Sequence, residues 1–469
     1  MKIDIGHLEK ITGGCLSTRE YENDIIENII TDSREIKDDG DYSHTAFLGI
    51  VGETFDGNDF AAAALEKGVK LVITNRKMTG NTVLTVDDTL KAYGKIAGYH
   101  KGTLKLTTIG ITGSVGKTTT KEVVYGVVSA AMKTEKTKAS FNNEIGVPRM
   151  LLSLGEDLDA AVVEMGMRGI GQIEYLANFV RPDVGIITNI GCAHLELLGT
   201  KDNTLRAKLE IAKFCSTLIL NGDDEYLGDK KKVSKILAEY NVSPKIVYYG
   251  LSENCDVVGK IDEMDVNHSV FTVKTQNNEY KIDFKAPGVH LVMAALAAIT
   301  AGETIGIEPG LIKNALENFE HESTGRQKIA RFGDVTVIDD CYNASPESMK
   351  MAISLLSEIK GAARRVAFLG DMLELGDVSH EEHAGVGAFA AKKGVDLVVT
   401  VGDRAKEIGL TASKKERGTC VIALDDSDAA ASEVEGLLSA GDAVLVKGSH
   451  AMQMDKIVRE IERVFTKEG

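Results

Sequence analysis

The sequence predicts an α/β fold built from doubly wound, mostly parallel sheets. Two observations support this prediction. Short apolar runs alternate with helical stretches of about 10 to 15 residues, and a glycine-rich motif stands between one such run and a helix. Sheets of this kind bind their ligands at the carboxyl ends of the strands. The polar clusters that follow the predicted strands are therefore the candidate functional residues.

Three segments are predicted along the 469 residues: 1–100, 101–320 and 321–469. The first mixes short strand signals with turns, and it contains a helix over 60–67 followed by a strand over 69–74. Strands of the second segment are predicted over 104–112, 160–164, 184–189 and 218–220. Strands of the third are predicted over 335–339, 365–369, 397–401, 420–424 and 443–446. A length of this size favours about three domains of roughly 150 residues each.

Composition and charge indicate a cytoplasmic enzyme. The net charge of −16 argues against a nucleic-acid or anionic-membrane partner, because both need an excess of Lys and Arg. Six scattered cysteines without a Cys-x-x-Cys pair predict reduced thiols rather than a disulfide framework or a zinc site. We expect no signal peptide and no membrane span. The most apolar stretch, 289–301, is too short to span a membrane and predicts a buried core helix.

The motif at residues 112 to 121 reads Thr-Gly-Ser-Val-Gly-Lys-Thr-Thr-Thr-Lys. It lies between the strand predicted over 104–112 and a helix predicted over 121–132, as a phosphate-binding loop requires. Its glycines let backbone N–H groups surround a polyphosphate, while Lys117 can reach the outer phosphates and Thr118 can bind Mg²⁺. Ile111 replaces the first glycine of the longer Gly-x4-Gly-Lys-Thr pattern. The motif nevertheless predicts that the chain binds a nucleoside triphosphate.

Other candidates follow the predicted strands. Glu164 precedes a glycine-rich turn, where a carboxylate can hold the Mg²⁺ that bridges nucleotide phosphates; taken alone, it also fits a solvated loop residue. His194 could be a second metal ligand or a structural histidine. By spacing alone, Lys208 is a surface lysine of a predicted helix. Arg326 suits charge stabilisation near a phosphoryl group. Polar clusters also occupy 339–346, 370–376 and 447–450, and each cluster alone fits a turn.

Taken in order, these motifs resemble those of the Mur ligases, the ATP-dependent amino-acid and peptide ligases of peptidoglycan synthesis. The resemblance extends over essentially the whole chain. It is strongest to the members that join D-alanyl-D-alanine to UDP-N-acetylmuramoyl-tripeptide. The matching segments are 31–34, 56–57, 112–121, 141–148, 164–169, 188–196, 207–210, 339–346, 370–376 and 447–449.

The resemblance implies three domains: a UDP-sugar-binding N-terminal domain, a central P-loop ATPase domain and a C-terminal Rossmann-like domain. It also implies ATP, Mg²⁺ and a carbamylated Lys208 as cofactors, and a monomeric enzyme whose partners are its small-molecule substrates. The implied catalytic residues are Lys117, Lys208, His194 and Arg326. The implied metal ligands are Thr118, Glu164, His194 and Lys208. The implied nucleotide contacts are Thr112, Gly113, Ser114, Val115, Gly116, Lys117, Thr118, Thr119, Asn143, Arg326, Asp340 and Asn343. The implied substrate contacts are Ser33, Arg34, Asn142 and Asn143.

Four positions depart from the family pattern. Leu291 and Ala294 replace two asparagines, the second of which normally helps to hold the nucleotide. Val51 stands where a lysine is usual, and His450 stands where an arginine is common. Two alternatives therefore stay open: a related ligase with a different acceptor, and a weakened nucleotide-binding protein that acts as a scaffold. The charged candidates that are retained argue against the scaffold, because unpaired charges are costly to keep buried.

Overall fold

The computed structural model describes residues 1–52, 55–78, 82–139, 141–265, 268–320, 328–414 and 418–466. Each of the three sequence segments supplies one main sheet. The sheets consist mostly of parallel strands joined through helices, which confirms the predicted α/β class. In this described part of the chain, no helix is both long enough and apolar enough to cross a membrane.

The first segment forms a five-stranded sheet with one antiparallel edge strand. A separate antiparallel pair joins Ile3–Asp4 to Ile25–Ile26. In spatial order the sheet contains Cys15–Leu16, Val83–Thr85, Leu71–Thr74, Thr45–Leu48 and Asn28–Ile30. The helices of this segment are Ile5–Thr12, Ala61–Glu66 and Thr89–Thr103.

The central segment forms a nine-stranded sheet that carries the phosphate-binding motif. In spatial order it contains Glu279–Phe284, Ser269–Lys274, Val257–Met264, Lys245–Gly250, Thr217–Asn221, Val184–Ile187, Thr107–Thr112, Ala160–Glu164 and Thr134–Lys136. The first three of these form an antiparallel meander, and the others are parallel. Its helices are Lys117–Ser129, Gly146–Ser153, Gln172–Val180, Leu195–Leu198, Lys201–Leu209, Lys230–Glu239, Val289–Thr304 and Pro309–Glu317.

The last segment forms a six-stranded sheet in which one edge strand is antiparallel. In spatial order it contains Lys328–Phe332, Val335–Asp340, Ala443–Lys447, Arg365–Gly370, Leu397–Val401 and Cys420–Leu424. Its helices are Pro346–Glu358, Ser379–Lys392, Lys406–Ala412, Ser427–Ser432, Val434–Leu437 and Asp455–Thr466.

Both faces of the central sheet are buried, which places the phosphate-binding strand in the middle of the core. Val162 packs on one face and its neighbour Val163 packs on the other, as the two-residue period of a strand requires. The helix Val289–Thr304 covers the first face, as predicted for a core helix. Leu291 and Ala294 are buried in that same core cluster.

The helix of the motif begins at Lys117, four residues earlier than predicted, because Gly116 takes a left-handed φ of 78° that turns the loop directly into the helix. The preceding strand begins at Thr107 rather than at residue 104. The helix Thr89–Thr103 ends only at the residue before that predicted start. The antiparallel meander is an element that the sequence analysis did not predict. Its strands alternate buried and exposed residues, most clearly in Glu279–Phe284.

Candidate active site

The phosphate-binding loop connects the strand Thr107–Thr112 to the helix Lys117–Ser129. A Cβ atom at Gly113 would lie 1.9 Å from the Oγ1 atom of Thr188, so only glycine allows the loop to pass this close to the neighbouring strand end. Thr188 Oγ1 also donates a hydrogen bond to the carbonyl of Val115 at 2.7 Å. The loop is therefore fixed against the end of the adjacent strand.

Several polar groups of the loop form hydrogen bonds within the protein. The Lys117 ammonium donates to the carbonyl of Gly113 at 2.9 Å and to that of Ser114 at 3.3 Å. The backbone N–H groups of Ser114 and Val115 both donate to Oδ1 of Asn189, at 3.1 and 2.9 Å. Asn189 thus accepts hydrogen bonds from two N–H groups that a bound phosphate would use. The sequence analysis named this residue only as part of the matching segment 188–196.

A hydroxyl and a carboxylate lie together at the start of the helix. Thr118 Oγ1 donates to Oε2 of Glu164 at 2.8 Å, and Asn142 Nδ2 donates to Oε1 of the same carboxylate at 2.8 Å. Glu164 is completely buried, so its interpretation as a solvated loop residue is wrong. Lys121, also buried, places its ammonium 3.8 Å from Glu164. Hydroxyl and carboxylate oxygens are the ligands that Mg²⁺ prefers, so the donor set fits that ion.

Lys208 lies on the helix Lys201–Leu209, as predicted, but only 3% of the residue is exposed. The interpretation as a surface lysine is therefore wrong. Burial lowers the pKa of its ammonium well below the ordinary value, and the positive charge of Lys117 lowers the pKa further. Within the described residues, no hydrogen bond or ion pair of its Nζ is found. Its burial and its ammonium neighbour Lys117 therefore favour the neutral amine of Lys208 over the cation.

His194 follows the strand Val184–Ile187 and adopts a left-handed backbone conformation with a φ of 61°. Its Nδ1 atom lies 2.5 Å from Oε2 of Glu374, which belongs to the third segment. Burial lowers the pKa of His194, while the Glu374 carboxylate acts in the opposite direction; Lys117 and Lys208 lower the pKa as well. The imidazole therefore lies within electrostatic reach of both lysines.

Lys447 contacts two of the residues that are predicted to hold the nucleotide from the third segment, Asp340 and Asn343. The ammonium of Lys447 lies 2.7 Å from Oδ2 of Asp340 and donates to the carbonyl of Asn343 at 2.7 Å. Lys447 and Asp340 are both buried. In the part of the chain that the structure describes, no hydrogen bond joins either predicted residue to the phosphate-binding loop. Arg326 lies outside the described residues. The ring of His450 lies 6.1 Å from that of Tyr342.

The predicted substrate contacts form two groups. Ser33 and Arg34 lie in the first segment, whereas Asn142 and Asn143 lie in the central segment, where Asn142 contacts Glu164. Ser33 and Arg34 form a short 3₁₀ turn, in which the Arg34 guanidinium lies 2.6 Å from Asp32 and lowers the pKa of that carboxyl to about 2. Asn142 binds Glu164, as described above. Asn143 accepts the N–H of Gly146 at 2.9 Å and so begins the next helix. Among the described residues, no group of three or more His, Cys, Asp and Glu side chains could hold a metal ion.

Two family models match the chain. The Mur ligase middle domain matches residues 111–302, and the Mur ligase glutamate ligase domain matches residues 325–450. Among curated relatives, the UDP-N-acetylmuramoyl-tripeptide–D-alanyl-D-alanine ligase of Bacillus subtilis (strain 168) is 33% identical over 98% of both chains. The enzyme of the same name from Synechocystis sp. is 34% identical, also over 98% of both chains.

Solved structures give the same result. A crystal structure of MurF from Acinetobacter baumannii has a TM-score of 0.89, with 29% identity over 99% of both chains. MurF ligase from Thermotoga maritima in complex with ADP has a TM-score of 0.81, with 25% identity over 94% of this chain and 98% of that one. The chain belongs to the Mur ligase family, in the group of the UDP-N-acetylmuramoyl-tripeptide–D-alanyl-D-alanine ligases.

Proposed function

We propose that this protein uses ATP to join D-alanyl-D-alanine to UDP-N-acetylmuramoyl-tripeptide during peptidoglycan precursor synthesis. Relatives that carry this name match the chain almost from end to end. The observation that carries the proposal is the phosphate-binding loop with its buried Thr118–Glu164 pair, because a ligase of this type needs a place for a nucleotide triphosphate. The ionisable candidates of the central segment are all present, and this favours an active ligase over a scaffold. They are Lys117, Glu164, His194 and Lys208.

Amide formation from a free carboxylate requires activation, because oxide is too poor a leaving group. ATP transfers its terminal phosphoryl group to the tripeptide carboxylate, and ADP leaves. The amine of D-alanyl-D-alanine then attacks the acyl carbon, loses a proton, and inorganic phosphate departs. Lys117 is placed to neutralise charge on the transferred phosphoryl group once it exchanges its bonds to Gly113 and Ser114 for phosphate oxygens.

Thr118 and Glu164 would hold the Mg²⁺ that accompanies the nucleotide. When bound, this ion neutralises phosphate charge and orients the phosphoryl group. Asn142 holds the second oxygen of the Glu164 carboxylate, and so fixes the direction of the first. The fit rests on the donor set, since a hydroxyl and a completely buried carboxylate face each other at 2.8 Å. His194 and Lys208 would hold a second Mg²⁺.

We further propose that Lys208 reacts with CO₂. A neutral amine is the nucleophile that this reaction needs: its nitrogen bonds to the carbon, and the proton it loses leaves a carbamate anion. Burial and the nearby charge of Lys117 both favour the neutral amine. The resulting anion would be attracted by Lys117, would take away the cost of a buried lysine without a partner, and would supply oxygen ligands for the second Mg²⁺.

The division into domains at 1–100, 101–320 and 321–469 is part of the proposal, as are a monomeric state and a cytoplasmic location. Each proposed domain has one of the three main sheets at its centre. The described cysteines are free thiols, which suits a reducing compartment. Arg326, Asp340 and Asn343 would contact ATP from the third domain, and Ser33 and Arg34 would contact the UDP-sugar from the first.

The test is phosphate release from ATP by the full-length protein with Mg²⁺ and UDP-N-acetylmuramoyl-tripeptide, with and without D-alanyl-D-alanine. We expect release that depends on both substrates, with the pentapeptide product identified by mass. Lys117→Ala should lower turnover by about 10²–10³-fold or more, because one group that stabilises transition-state charge is lost. Lys105→Ala, an exposed lysine just before the same strand, is the matched control.

Three outcomes would contradict the proposal. Full activity of Lys117→Ala would refute the role of this lysine at the phosphates. Turnover that requires another amine in place of D-alanyl-D-alanine would indicate a related ligase with a different acceptor. Tight nucleotide binding without turnover would favour the scaffold, and would draw attention to Leu291 and Ala294, which replace the two asparagines.

A further inference from the structure

An arginine of the second segment reaches across to the first. Arg149 lies on the helix Gly146–Ser153, and its Nη2 atom lies 3.2 Å from Oε1 of Glu35. The two side chains are 51% and 43% exposed, and exposed ion pairs of this kind contribute little to stability. The guanidinium of Arg149 can therefore exchange Glu35 for another anionic group at small cost.

An aromatic ring stands beside this guanidinium. The central carbon of the Arg149 guanidinium lies 5.7 Å from the centre of the Phe141 ring, within the range of a cation–π contact. The backbone of Phe141 is held close to the start of the helix, because a Cβ atom at Gly146 would lie 2.5 Å from Cα of Phe141. Phe141 is nevertheless 42% exposed. An apolar ring and a cation are thus presented together at the surface.

A second arginine lies on the opposite side of this junction. The side chain of Arg34, in the first segment, is 88% exposed and lies 2.6 Å from Oδ2 of Asp32. Arg34 chiefly, and Arg149 to a smaller extent, lower the pKa of the Asp32 carboxyl to about 2. Two arginines from different segments therefore act on the same carboxylate, which shows that their positive charges meet at the junction.

The junction is formed by residues that follow strands of two parallel sheets. Residues 31–35 follow the strand Asn28–Ile30 of the first sheet, and Phe141 follows the strand Thr134–Lys136 of the central sheet. Parallel sheets bind ligands at the carboxyl ends of their strands, and binding sites occur preferentially between domains. The junction combines both properties. The predicted substrate contacts adjoin it in the sequence: Ser33, Arg34, Asn142 and Asn143.

We propose that Arg149 binds an anionic oxygen group, a phosphate or a carboxylate, of the UDP-linked substrate, and that Glu35 holds its guanidinium until the substrate arrives. The inference rests on the proposed function, which supplies a substrate with several such groups. A guanidinium fits a phosphate or a carboxylate equally, because its planar fork can donate two parallel hydrogen bonds to either. Arg149 is thereby added to the predicted substrate contacts.

The test is the dissociation constant of UDP-N-acetylmuramoyl-tripeptide from the full-length protein, measured by isothermal titration calorimetry without ATP. Arg149→Met should raise this constant by about 10- to 100-fold, because hydrogen bonds to a charged group are lost. Arg149→Lys should raise it less, since lysine keeps the charge but not the planar fork. Arg331→Met is the matched control, because Arg331 forms an exposed ion pair with Asp334 in the third segment, and it should change nothing.

A variant of Glu35 distinguishes substrate binding from a simple contact between segments. Glu35→Gln removes the charge that competes with the substrate for Arg149, so the dissociation constant should fall by about 2- to 5-fold, the strength usual for an exposed ion pair. If the pair only held the two segments together, Glu35→Gln and Arg149→Met would both weaken binding. Weaker or unchanged binding in Glu35→Gln, or unchanged binding in Arg149→Met, would overturn the inference.

Shorter ligands identify the group that Arg149 binds. The same titrations are made with UDP and with UDP-N-acetylmuramic acid. A loss of affinity in Arg149→Met that is already present with UDP assigns a phosphate, whereas a loss that appears only with the longer ligands assigns a carboxylate. Failure of the proposed function has a different signature: the unaltered protein would not bind the tripeptide ligand at all. Binding that Arg149→Met leaves unchanged contradicts this inference alone.

Discussion

At the residue scale, Lys208 is the clearest link between the physical chemistry of this chain and its proposed reaction. A lysine of which 3% is exposed, beside another ammonium, is unfavourable as a cation. Conversion to a carbamate reverses the sign of its charge. The group then attracts Lys117 and Mg²⁺ instead of repelling them, so a costly cation becomes a useful ligand.

Lys208 should therefore carry a carbamate in protein supplied with ¹³C-bicarbonate. We expect a carbamate resonance in the carbon-13 NMR spectrum that is absent from Lys208→Ala, and turnover that falls when CO₂ is removed. Short carboxylic acids such as acetate should partly restore turnover to Lys208→Ala, because they place an oxygen anion in the space left by the side chain. Lys213, whose ammonium lies 2.7 Å from Glu174, is the control: Lys213→Ala should keep the resonance. A resonance that survives Lys208→Ala would contradict the prediction.

At the element scale, the strands with two buried faces were predicted well, whereas one edge of the central sheet was missed. The strands Ala160–Glu164 and Leu397–Val401 begin and end where their apolar runs do, and so does the edge strand Cys420–Leu424. The antiparallel meander was missed, since its strands lie at the edge of the sheet and half of their residues are polar. Strand ends next to the site also differ: Val184–Ile187 stops before Thr188 and Asn189, whose side chains bind the phosphate loop.

The candidate site shows the same limit. The phosphate-binding loop is local in sequence, so its pattern alone predicted it. The burial of Lys208 and the contact of Glu374 with His194 depend on packing between distant segments, and no local pattern carries that information. Asn189 could have been suspected, because an amide directly after a strand beside the loop can satisfy its N–H groups.

A prediction at this scale concerns the helix Gln172–Val180, which begins just after the segment that carries Glu164. Its first N–H groups are held by Glu210, which accepts from Gly171 at 2.8 Å and from Glu174 at 3.0 Å. Because Glu210 is buried, Glu210→Ala leaves two donors without acceptors and should lower the free energy of unfolding by about 1–3 kcal/mol. Thermal unfolding and hydrogen exchange of these two amides would measure the effect.

The control for that experiment is Glu156→Ala, an exposed glutamate elsewhere in the central segment, which should stay within about 0.5 kcal/mol of the unaltered protein. Unchanged stability of Glu210→Ala, with exchange at Gly171 and Glu174 as slow as before, would contradict the assigned role of Glu210 in beginning the helix.

At the scale of the whole molecule, the contacts between segments differ in character. The first segment meets the second through the helix Thr89–Thr103, whose Ala97 is buried in the core of the central segment, and through the exposed ion pair of Glu35 and Arg149 at 3.2 Å. The third segment meets the second through three glutamates around residues 191–196, where Cys192 is buried; these are Glu347, Glu374 and Glu382. We therefore expect the interface between the third segment and residues 191–196 to persist in solution.

Cys192 offers a direct measure of that persistence. Burial raises the pKa of its thiol, and the charges of Glu347 and Glu382 raise the pKa further, so its reactive thiolate is scarce as well as covered. Iodoacetamide should modify Cys192 about 100-fold or more slowly than the exposed Cys15 and Cys420, which serve as internal controls in the same chain. Peptide mass spectrometry over time gives all three rates at once. Glu382→Ala should speed the modification of Cys192 alone. It removes a negative charge that raises the pKa of the thiol, and it removes a side chain that contacts the sulfur. Equal rates at the three cysteines of the unaltered protein would mean that the third segment leaves residues 191–196 most of the time, and that the docked arrangement is a minor state.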